Sequence, residues 1–577
     1  MAIENLITDH LDLWTTAVRP KSSAGRGNNS KLELTGIKKL RELILELAVR
    51  GKLVPQDPSD EPASVLLERI AAEQARLVEE GKIKKPKALP EISEGEKLFE
   101  LQEGWAELRL GNAINVLNGR AYKKHEMLES GTPLLRVGNL FTSDKWYYSD
   151  LELEPEKYID SGDLIYSWSA SFGPFIWNGG RVIYHYHIWK MDIFDASSLD
   201  KYFMCLYLNA ISASIKASGN GIAMIHMTKE KMEQLVIPIP PISEQHRIVA
   251  KVDELMALCD QLEQRSESQL AAHQTLVETL LATLTNSANA DELAQNWARL
   301  STHFDTLFTT EASIDALKQT ILQLAVMGKL VPQDPSDEPA SALLERIAAE
   351  KARLVKEKKI KKEKPLPAIS EEEKQFELPQ GWEWVRLGSL YSFLNGFAFK
   401  SEWFQNDGVK LLRNINIAHG NTKWEERVCI PEYMATDYEK YNLTLGDIVI
   451  SLDRPIINTG LKYAVIEQSD LPCLLLQRVA KFHHFLNVVE PMYLSLWLQS
   501  PLFISAVDPG RSNGVPHIST KQLEAMAFPL CSLYEQKQII ARVDELMVLC
   551  DQLKSRLQTS QQTQLALAES LVEGALA

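Results

Sequence analysis

A run of fourteen residues, Gly51–Ser64 (GKLVPQDPSDEPAS), recurs without change at Gly328–Ser341, 277 residues later. No solenoid unit is that long, so the chain holds two copies of a domain-sized unit. The likeness continues through LLERIAAE at Leu66–Glu73 and Leu343–Glu350, then Gly104-Trp105 and Gly381-Trp382, then Arg109-Leu110-Gly111 and Arg386-Leu387-Gly388. A second shared block, VDELMALCDQL at Val252–Leu262, returns as VDELMVLCDQL at Val543–Leu553. Between these blocks only landmarks agree. Asn118-Gly119 matches Asn395-Gly396, Lys123 matches Lys400, and Leu134-Leu135-Arg136 matches Leu411-Leu412-Arg413. Gly162-Asp163 matches Gly446-Asp447, and His226 matches His517. Each copy is a front arm, a divergent middle and a back arm, which makes the whole an internal pseudo-twofold repeat.

The arms carry helical patterns. After the duplicated loop, Ser59-Asp60-Glu61-Pro62 offers an N-cap and a first-turn proline. Leu66, Leu67, Ile70, Leu77 and Val78 follow at helical spacing. In the back arm, Ile248, Val252, Leu255, Cys259 and Leu262 step by 4, 3, 4, 3, and Ile539, Val543, Leu546, Cys550 and Leu553 repeat the seam. Both cysteines read as small buried hydrophobes there. A back arm of about 40 helical residues would run about 60 Å. A stripe that narrow needs a partner, and the arm of the other copy is the simplest one, giving an antiparallel helical spacer. The lysine runs Lys82–Lys87 and Lys356–Lys364 suit a solvated linker or a DNA-backbone contact.

The middles read as α+β domains. They hold 15 of the 16 Tyr and 8 of the 12 Trp, so their surface and core differ in kind from the arms. Val182–Trp189 (VIYHYHIW) alternates as a strand does, and Leu164–Ser167 and Ile448–Ser451 follow equivalent Gly-Asp turns. Segments 203–215 and 492–506 suit packed helices. The net charge of −15 argues against a nucleic-acid partner until it is placed. Residues 106–236 and 383–529 each carry 13 basic and 15 acidic residues, so most of the acidity lies on the arms.

The common catalytic signatures are absent from the sequence. It has no Gly-x4-Gly-Lys-Ser/Thr loop, no Gly-x-Gly-x-x-Gly fingerprint, and no Asn/Asp-Pro-Pro-Tyr/Phe tetrapeptide. It also lacks His-Glu-x-x-His and Cys-x-x-Cys, and Gly510-Arg511-Ser512-Asn513-Gly514 fits Gly-x-Ser-x-Gly by letter only, with no strand pattern before it to make a nucleophile elbow. His483-His484 has no counterpart in the first copy and suits a surface or core role; His226 and His517 suit structural hydrogen bonds. Six cysteines without short spacing, no long apolar run and no signal-like segment at Met1–His10 make the cytoplasm the expected compartment. A non-catalytic chain with two unlike surfaces on one duplicated frame suggests recognition of a split target. The plainer alternative is a non-DNA helical scaffold that dimerises a protein through its arms.

These features together resemble the specificity subunit of type I restriction-modification systems. The resemblance covers nearly the whole chain. It rests on the duplicated arm, the Gly-Trp step, Leu-Leu-Arg with a following Asn (Asn139, Asn414), and the exit Ile237-Pro238-Ile239-Pro240-Pro241 before Glu244-Gln245-His246-Arg247-Ile248-Val249. The second exit is looser: Phe528-Pro529-Leu530-Cys531, then Glu535-Gln536-Lys537-Gln538-Ile539-Ile540. The resemblance implies two α/β-type target recognition domains joined by long helices in an antiparallel coiled-coil spacer. The expected boundaries are 1–105 (front arm), 106–237 (first recognition domain), 238–382 (central helical arms), 383–529 (second recognition domain) and 530–577 (final helix). Each domain would read one half of an asymmetric, bipartite double-stranded DNA site. Two modification subunits, binding S-adenosylmethionine, and two restriction subunits, using ATP and Mg, would join this non-enzymatic chain, which would itself hold no cofactor and no metal.

Phosphate contacts position and base contacts specify. Phosphate-directed groups are therefore expected among matched positions, Lys123/Lys400 and Arg136/Arg413, although the two arginines equally suit structural ion pairs. Base-reading groups are expected where the copies differ: Arg120, Asn139, Lys145, Tyr147 and Arg181 in the first middle, and Asn416, Lys423, Arg454, Asn458, Arg511 and Asn513 in the second. Arg suits guanine edges, and Asn suits adenine edges.

Overall fold

The structure is a computed structural model that describes residues 3–20, 32–97, 99–169, 173–218, 228–288, 290–360, 365–457, 460–507 and 517–576. It divides into two compact units. Among the described residues, one takes those up to Ser268 together with Gln561 onward; the other takes Gln269–Ser560. Each unit contains one front arm, one middle and the start of one back helix, plus the tail of the back helix that begins in the other unit.

In the first unit the front arm's first long helix, after the short helices Ile3–Thr8 and Leu11–Thr16, is Thr35–Val49. Its apolar positions fall at i, i+3, i+4 and i+7, and Ile37, Leu40, Leu43 and Ile44 are all sealed from solvent. The helix ends at Gly51, whose φ of +67° only glycine adopts cheaply, with Lys52 N–H donating back to the Leu47 carbonyl. A Cβ at Gly51 would lie 2.7 Å from the Trp105 ring, and one at Gly328 would lie 2.8 Å from Trp382. The second arm helix is Ala63–Glu79, buried at Ala63, Leu66 and Ile70, and its counterpart is Ala340–Lys356. Pro62 caps it from extended backbone, whereas the Ser59 hydroxyl donates to Asp57, so the expected serine N-cap is an Asx turn two residues earlier.

The back helices are Ile242–Thr285 and Leu533–Leu576, 44 residues each. The heptad seam is buried as expected, including Cys259 and Cys550, except at Leu553, which is half-buried. Their carbonyl ends are met by the duplicated lysines. Lys52 Nζ donates to the Leu576 carbonyl at 3.0 Å, and Lys329 Nζ donates to those of Thr285 and Ser287 at 2.8 and 2.9 Å. The last carbonyls of a helix lack intrahelical donors and carry its negative pole, which an ammonium satisfies on both counts.

The middles are sheet domains tied at their base. In the first, strand Ala106–Arg109 pairs with exit strand Val236–Ile239; in the second, Glu383–Arg386 pairs with Ala527–Leu530. The first middle has a sheet ordered Ile114–Asn118, Ile188–Ile193, Leu164–Ser167, Gly173–Ile176, and another ordered Tyr147–Ser149, Thr132–Leu135, Val182–Tyr184, Tyr158–Ile159. The second middle repeats this plan with a five-stranded and a three-stranded sheet. Two matched landmarks explain themselves. Leu134 lies parallel to Ile183 and Leu411 to Leu474 in the sheet cores. Asp163 and Asp447, after the turn glycines, pair with Lys190 and Lys481 at 2.6 and 2.5 Å.

Two segments differ from expectation. Val182–Trp189 is not one strand: it breaks after Tyr184 and resumes at Ile188, leaving His185–His187 as a turn with Tyr186 40% exposed. Segment 492–506 is two helices, Pro491–Gln499 and Pro501–Val507, because Pro501 lacks the N–H a continuous helix needs.

Candidate nucleic-acid interface

The platform beneath each middle is the same. Arg109, 4% exposed, spends its guanidinium on the carbonyls of Pro90, Glu91 and Gln234 and on both carboxylate oxygens of Glu96. Arg386 does the same with Pro367, Ala368, Ala525 and Glu373. These arginines hold the Glu96 and Glu373 carboxyls down at about 2. Buried Glu244 accepts from the Trp105 indole at 3.0 Å and from Gln56, and Glu535 accepts from Trp382 at 2.9 Å and from Gln333 at 3.1 Å. Burial pushes both carboxyls up. Gln245 and Gln536, both sealed from solvent, bridge the exit strand to the middle's own helical segment. The invariance of the duplicated loop thus has an internal cause: Gln56 and Gln333 are half of this joint.

Above the platform, one loop pair occupies equivalent backbone in both middles. His185 N–H donates to the Leu135 carbonyl and Tyr186 N–H to that of Arg120; Leu476 and Gln477 donate likewise to Leu412 and Phe397. Trp168 N–H meets the His187 carbonyl, and Leu452 N–H meets that of Arg478. The side chains share nothing. In the first middle, Trp168 stacks on Trp189 at 5.8 Å and meets His187 edge-on at 5.0 Å. Burial, aided by His187 and Arg136, pulls His185 down to about 4, so it is neutral at pH 7. Beside it, exposed Arg136 and Lys145 lie 5.1 and 5.2 Å from the Tyr147 ring, and hydrogen bonding to Lys145 lowers the Tyr147 phenol.

In the second middle the same place is ionic. Asp453 receives Arg478 at 3.0 Å, His517 at 3.1 Å and Asn414 at 3.4 Å. Arg454 and Arg478 both hold left-handed φ, +47° and +70°, a strain that costs of order 1 kcal/mol each and clusters at functional positions. Lys462 is depressed by burial, with Lys423 and Arg454 adding repulsion. The surface is a basic cluster around one acid.

The expected site residues separate into groups. Arg136, Lys145 and Tyr147 come together, and Lys423 and Arg454 each lie near Lys462. Lys123 and Lys400 are exposed, with Lys400 over Trp403. Arg120 is held by Glu126 at 2.7 Å, and Arg181 lies over Tyr158 and 3.7 Å from Asp160. Asn139 and Asn416, expected where the copies differ, are instead a matched pair at the 277-residue offset and turn inward: each side chain accepts its arginine's backbone N–H and donates to carbonyls of the next turn, and Asn416 is 1% exposed. They shape the loop and present no free amide. Arg413 differs from Arg136, being bound to the Glu426 carbonyl and Asn416. Asn458, Arg511, Asn513 and His226 lie outside the described residues. Trp168, Tyr186, Asp453, Lys462 and Arg478 were not among the expected residues; Trp168 and Asp453 follow closely on the matched Ser167 and Ser451 and Tyr186 lies in the broken VIYHYHIW segment, whereas Lys462 and Arg478 carry no sequence signal.

The family model for the type I restriction modification DNA specificity domain matches twice, at residues 102–272 and 379–560. The chain belongs to the type I restriction-modification specificity-subunit family. It is 54% identical to the type I restriction enzyme EcoAI specificity subunit and 42% to the EcoEI specificity subunit, both of Escherichia coli, over the full length of each chain. A solved HsdS subunit from Thermoanaerobacter tengcongensis covers 83% of this chain and 98% of its own at 17% identity, with a TM-score of 0.40. Specificity subunits are named for choosing sequence, not for catalysis. Among the described residues no helix is long and apolar enough to cross a membrane.

Proposed function

We propose that residues 106–237 and 383–529 each read one half of a bipartite, asymmetric sequence in double-stranded DNA. The helical arms, acting as an antiparallel coiled-coil spacer, set the gap and dock two modification subunits. Two restriction subunits complete the assembly in the cytoplasm. In this reading S-adenosylmethionine, ATP and Mg serve the partner subunits, and the chain itself binds none. The observation that carries it is the pairing of one backbone frame with two unlike surfaces: Trp168, Tyr186 and His187 in one middle, Asp453, Gln477 and Arg478 in the other. Arg478 and Arg454 have the chemistry for guanine edges, Arg136 and Lys145 for phosphates, and exposed Tyr186 for stacking or sugar contact. The shared Lys123 and Lys400 suit phosphates.

The test is duplex binding by the chain with its modification subunit across a salt series. A steep log–log salt slope and protection of two short half-sites around a gap are expected. Salt-independent or absent binding by the assembled complex refutes the reading. Exchange of residues 106–237 for those of a relative should change one half-site only.

A further inference from the structure

Tandem duplication leaves this chain with a pairing problem. The joint between front and back arms is made of the same groups in both copies: Gln56 and Trp105 on Glu244, Gln333 and Trp382 on Glu535. The apolar seams interchange as well, with Ile248, Val252 and Cys259 matching Ile539, Val543 and Cys550. A front arm that met the back arm of the wrong copy, in its own chain or in a second one, would find every one of these partners. Discrimination has to come from positions that differ.

One such position flanks the seam and is inverted in charge. In the first copy, Arg41 on helix Thr35–Val49 contacts Asp260 at 2.8 Å and Glu263 at 2.7 Å. In the second, Lys318 keeps the first contact, with Asp551 at 2.5 Å, but Lys554 stands where Glu263 was. Lys554 pairs instead with Asp315 at 3.1 Å and Glu311 at 3.5 Å, and Asp315 occupies the position of Lys38. In front arm one Arg41 alone meets the two carboxylates, and Lys38, one turn before it, pairs with Glu33 at 3.4 Å. Front arm two offers Glu311, Asp315 and Lys318 to one carboxylate and one ammonium. Exchange would set Lys554 beside Lys38 and Arg41, and Glu263 beside Asp315 and Glu311. Arg41, Lys318 and Lys554 are 26, 24 and 28% exposed, but their carboxylate partners are 35–71% exposed, so salt screens these pairs and the code acts most strongly at low ionic strength.

We propose that Glu263 and Lys554 form a pairing code that holds each front arm on its own back arm and disfavours arm exchange between two copies of the chain. Flanking charges choose partners for apolar helical seams by making the wrong pairing repulsive as well as the right one attractive.

The test uses the full chain, unfolded and refolded at low salt, then sized by light scattering and mapped by zero-length carbodiimide cross-linking. The wild-type chain should return as monomer with Lys554 linked to Asp315 or Glu311. Glu263→Lys alone should lower Tm by about 1–3 °C. The double variant Glu263→Lys/Lys554→Glu reverses the code. It should link Lys38 to the new carboxylate at 554 and Asp315 to the new amine at 263, raise the dimer fraction several-fold, and lose both effects at about 1 M salt. A double variant that stays monomeric, with unchanged links and Tm, overturns the proposal. Glu263→Lys/Lys38→Asp rebuilds the Asp315–Lys554 pair of the second copy in the first and should recover most of the Tm lost by Glu263→Lys; failure to recover any also overturns the proposal.

Discussion

Where arm meets middle, the two copies agree almost atom for atom; at the outer loops of the middles they share only backbone. The indole–carboxylate contacts are 3.0 and 2.9 Å, and the buried glutamines reach the exit strand at 2.9 and 3.0 Å. The difference follows from which atoms hold each region. The joint is built from side chains (Arg109, Glu244, Gln245), so any change there leaves a buried partner unsatisfied. The loops His185–His187 and Leu476–Arg478 are held by main-chain bonds, which any residue supplies. Apart from Leu476, which packs in the core, the side chains there carry little of the fold, which is where a recognition surface can diverge.

The largest expected effect tests the equivalence of the joints. Arg109→Ala and Arg386→Ala each strip three carbonyls and a carboxylate of their donor, and each should destabilise its copy by about 3 kcal/mol. Lys should rescue neither, since one ammonium cannot span that fan of acceptors. Denaturant unfolding of both variants checks this; a large effect in one copy alone breaks the equivalence.

Next come the surfaces. Arg478→Ala should cost about 1–3 kcal/mol of binding to a cognate duplex, the scale of a lost arginine–base contact. Stability should scarcely change, because the Arg478 side chain is 67% exposed. Trp168→Ala should affect only the other half-site. Titration of each variant against duplexes mutated in one half-site reads this directly; loss at both half-sites from either variant removes the assignment of one surface to one half.

The frame was largely readable in the sequence and the surface was not, for the same physical reason. The duplicated loop, the heptad through Cys259 and Cys550, and the Gly-Asp turns are side-chain-specified, so residue identity carries them. The break in Val182–Trp189 is set by backbone bonds from His185 and Tyr186 to strands far away in sequence, and alternation alone reads through it. Asn139 and Asn416 resembled base-reading groups because an Asn that closes its own turn and an Asn that faces a partner have the same letter. Asp453, His517 and Arg478 meet across three separate segments, a constellation without a linear signature.

A smaller effect separates the long-helix ends. Lys329 serves two carbonyls and is half-buried, whereas Lys52 serves one and is exposed. Lys329→Met should cost about 1 kcal/mol and Lys52→Met about half as much, measured as fraying of the helix termini by amide hydrogen exchange. Equal protection at Thr285 and Leu576 in both variants would remove the lysines as caps.

The smallest effect is the pH dependence of the joint. Glu96 and Glu373 titrate at about 2 in the folded chain, held down first by hydrogen bonds from Arg109 and Arg386 and then by the Ser93 and Ser370 backbone N–H groups. An unfolded glutamate titrates near 4.3. A depressed folded value means the unfolded state takes up the proton first, so this contribution is complete above about pH 4.3 and disappears as pH falls towards about 2. Each carboxylate is partly open to solvent, which keeps the contribution small. Glu244 and Glu535 work in the opposite sense, because burial raises them and acid relieves their desolvation. The diagnostic is therefore the difference between variants. Glu96→Gln and Glu373→Gln should lower Tm at pH 7 and converge on the wild-type chain by about pH 2, by equal amounts if the two joints are the same machine.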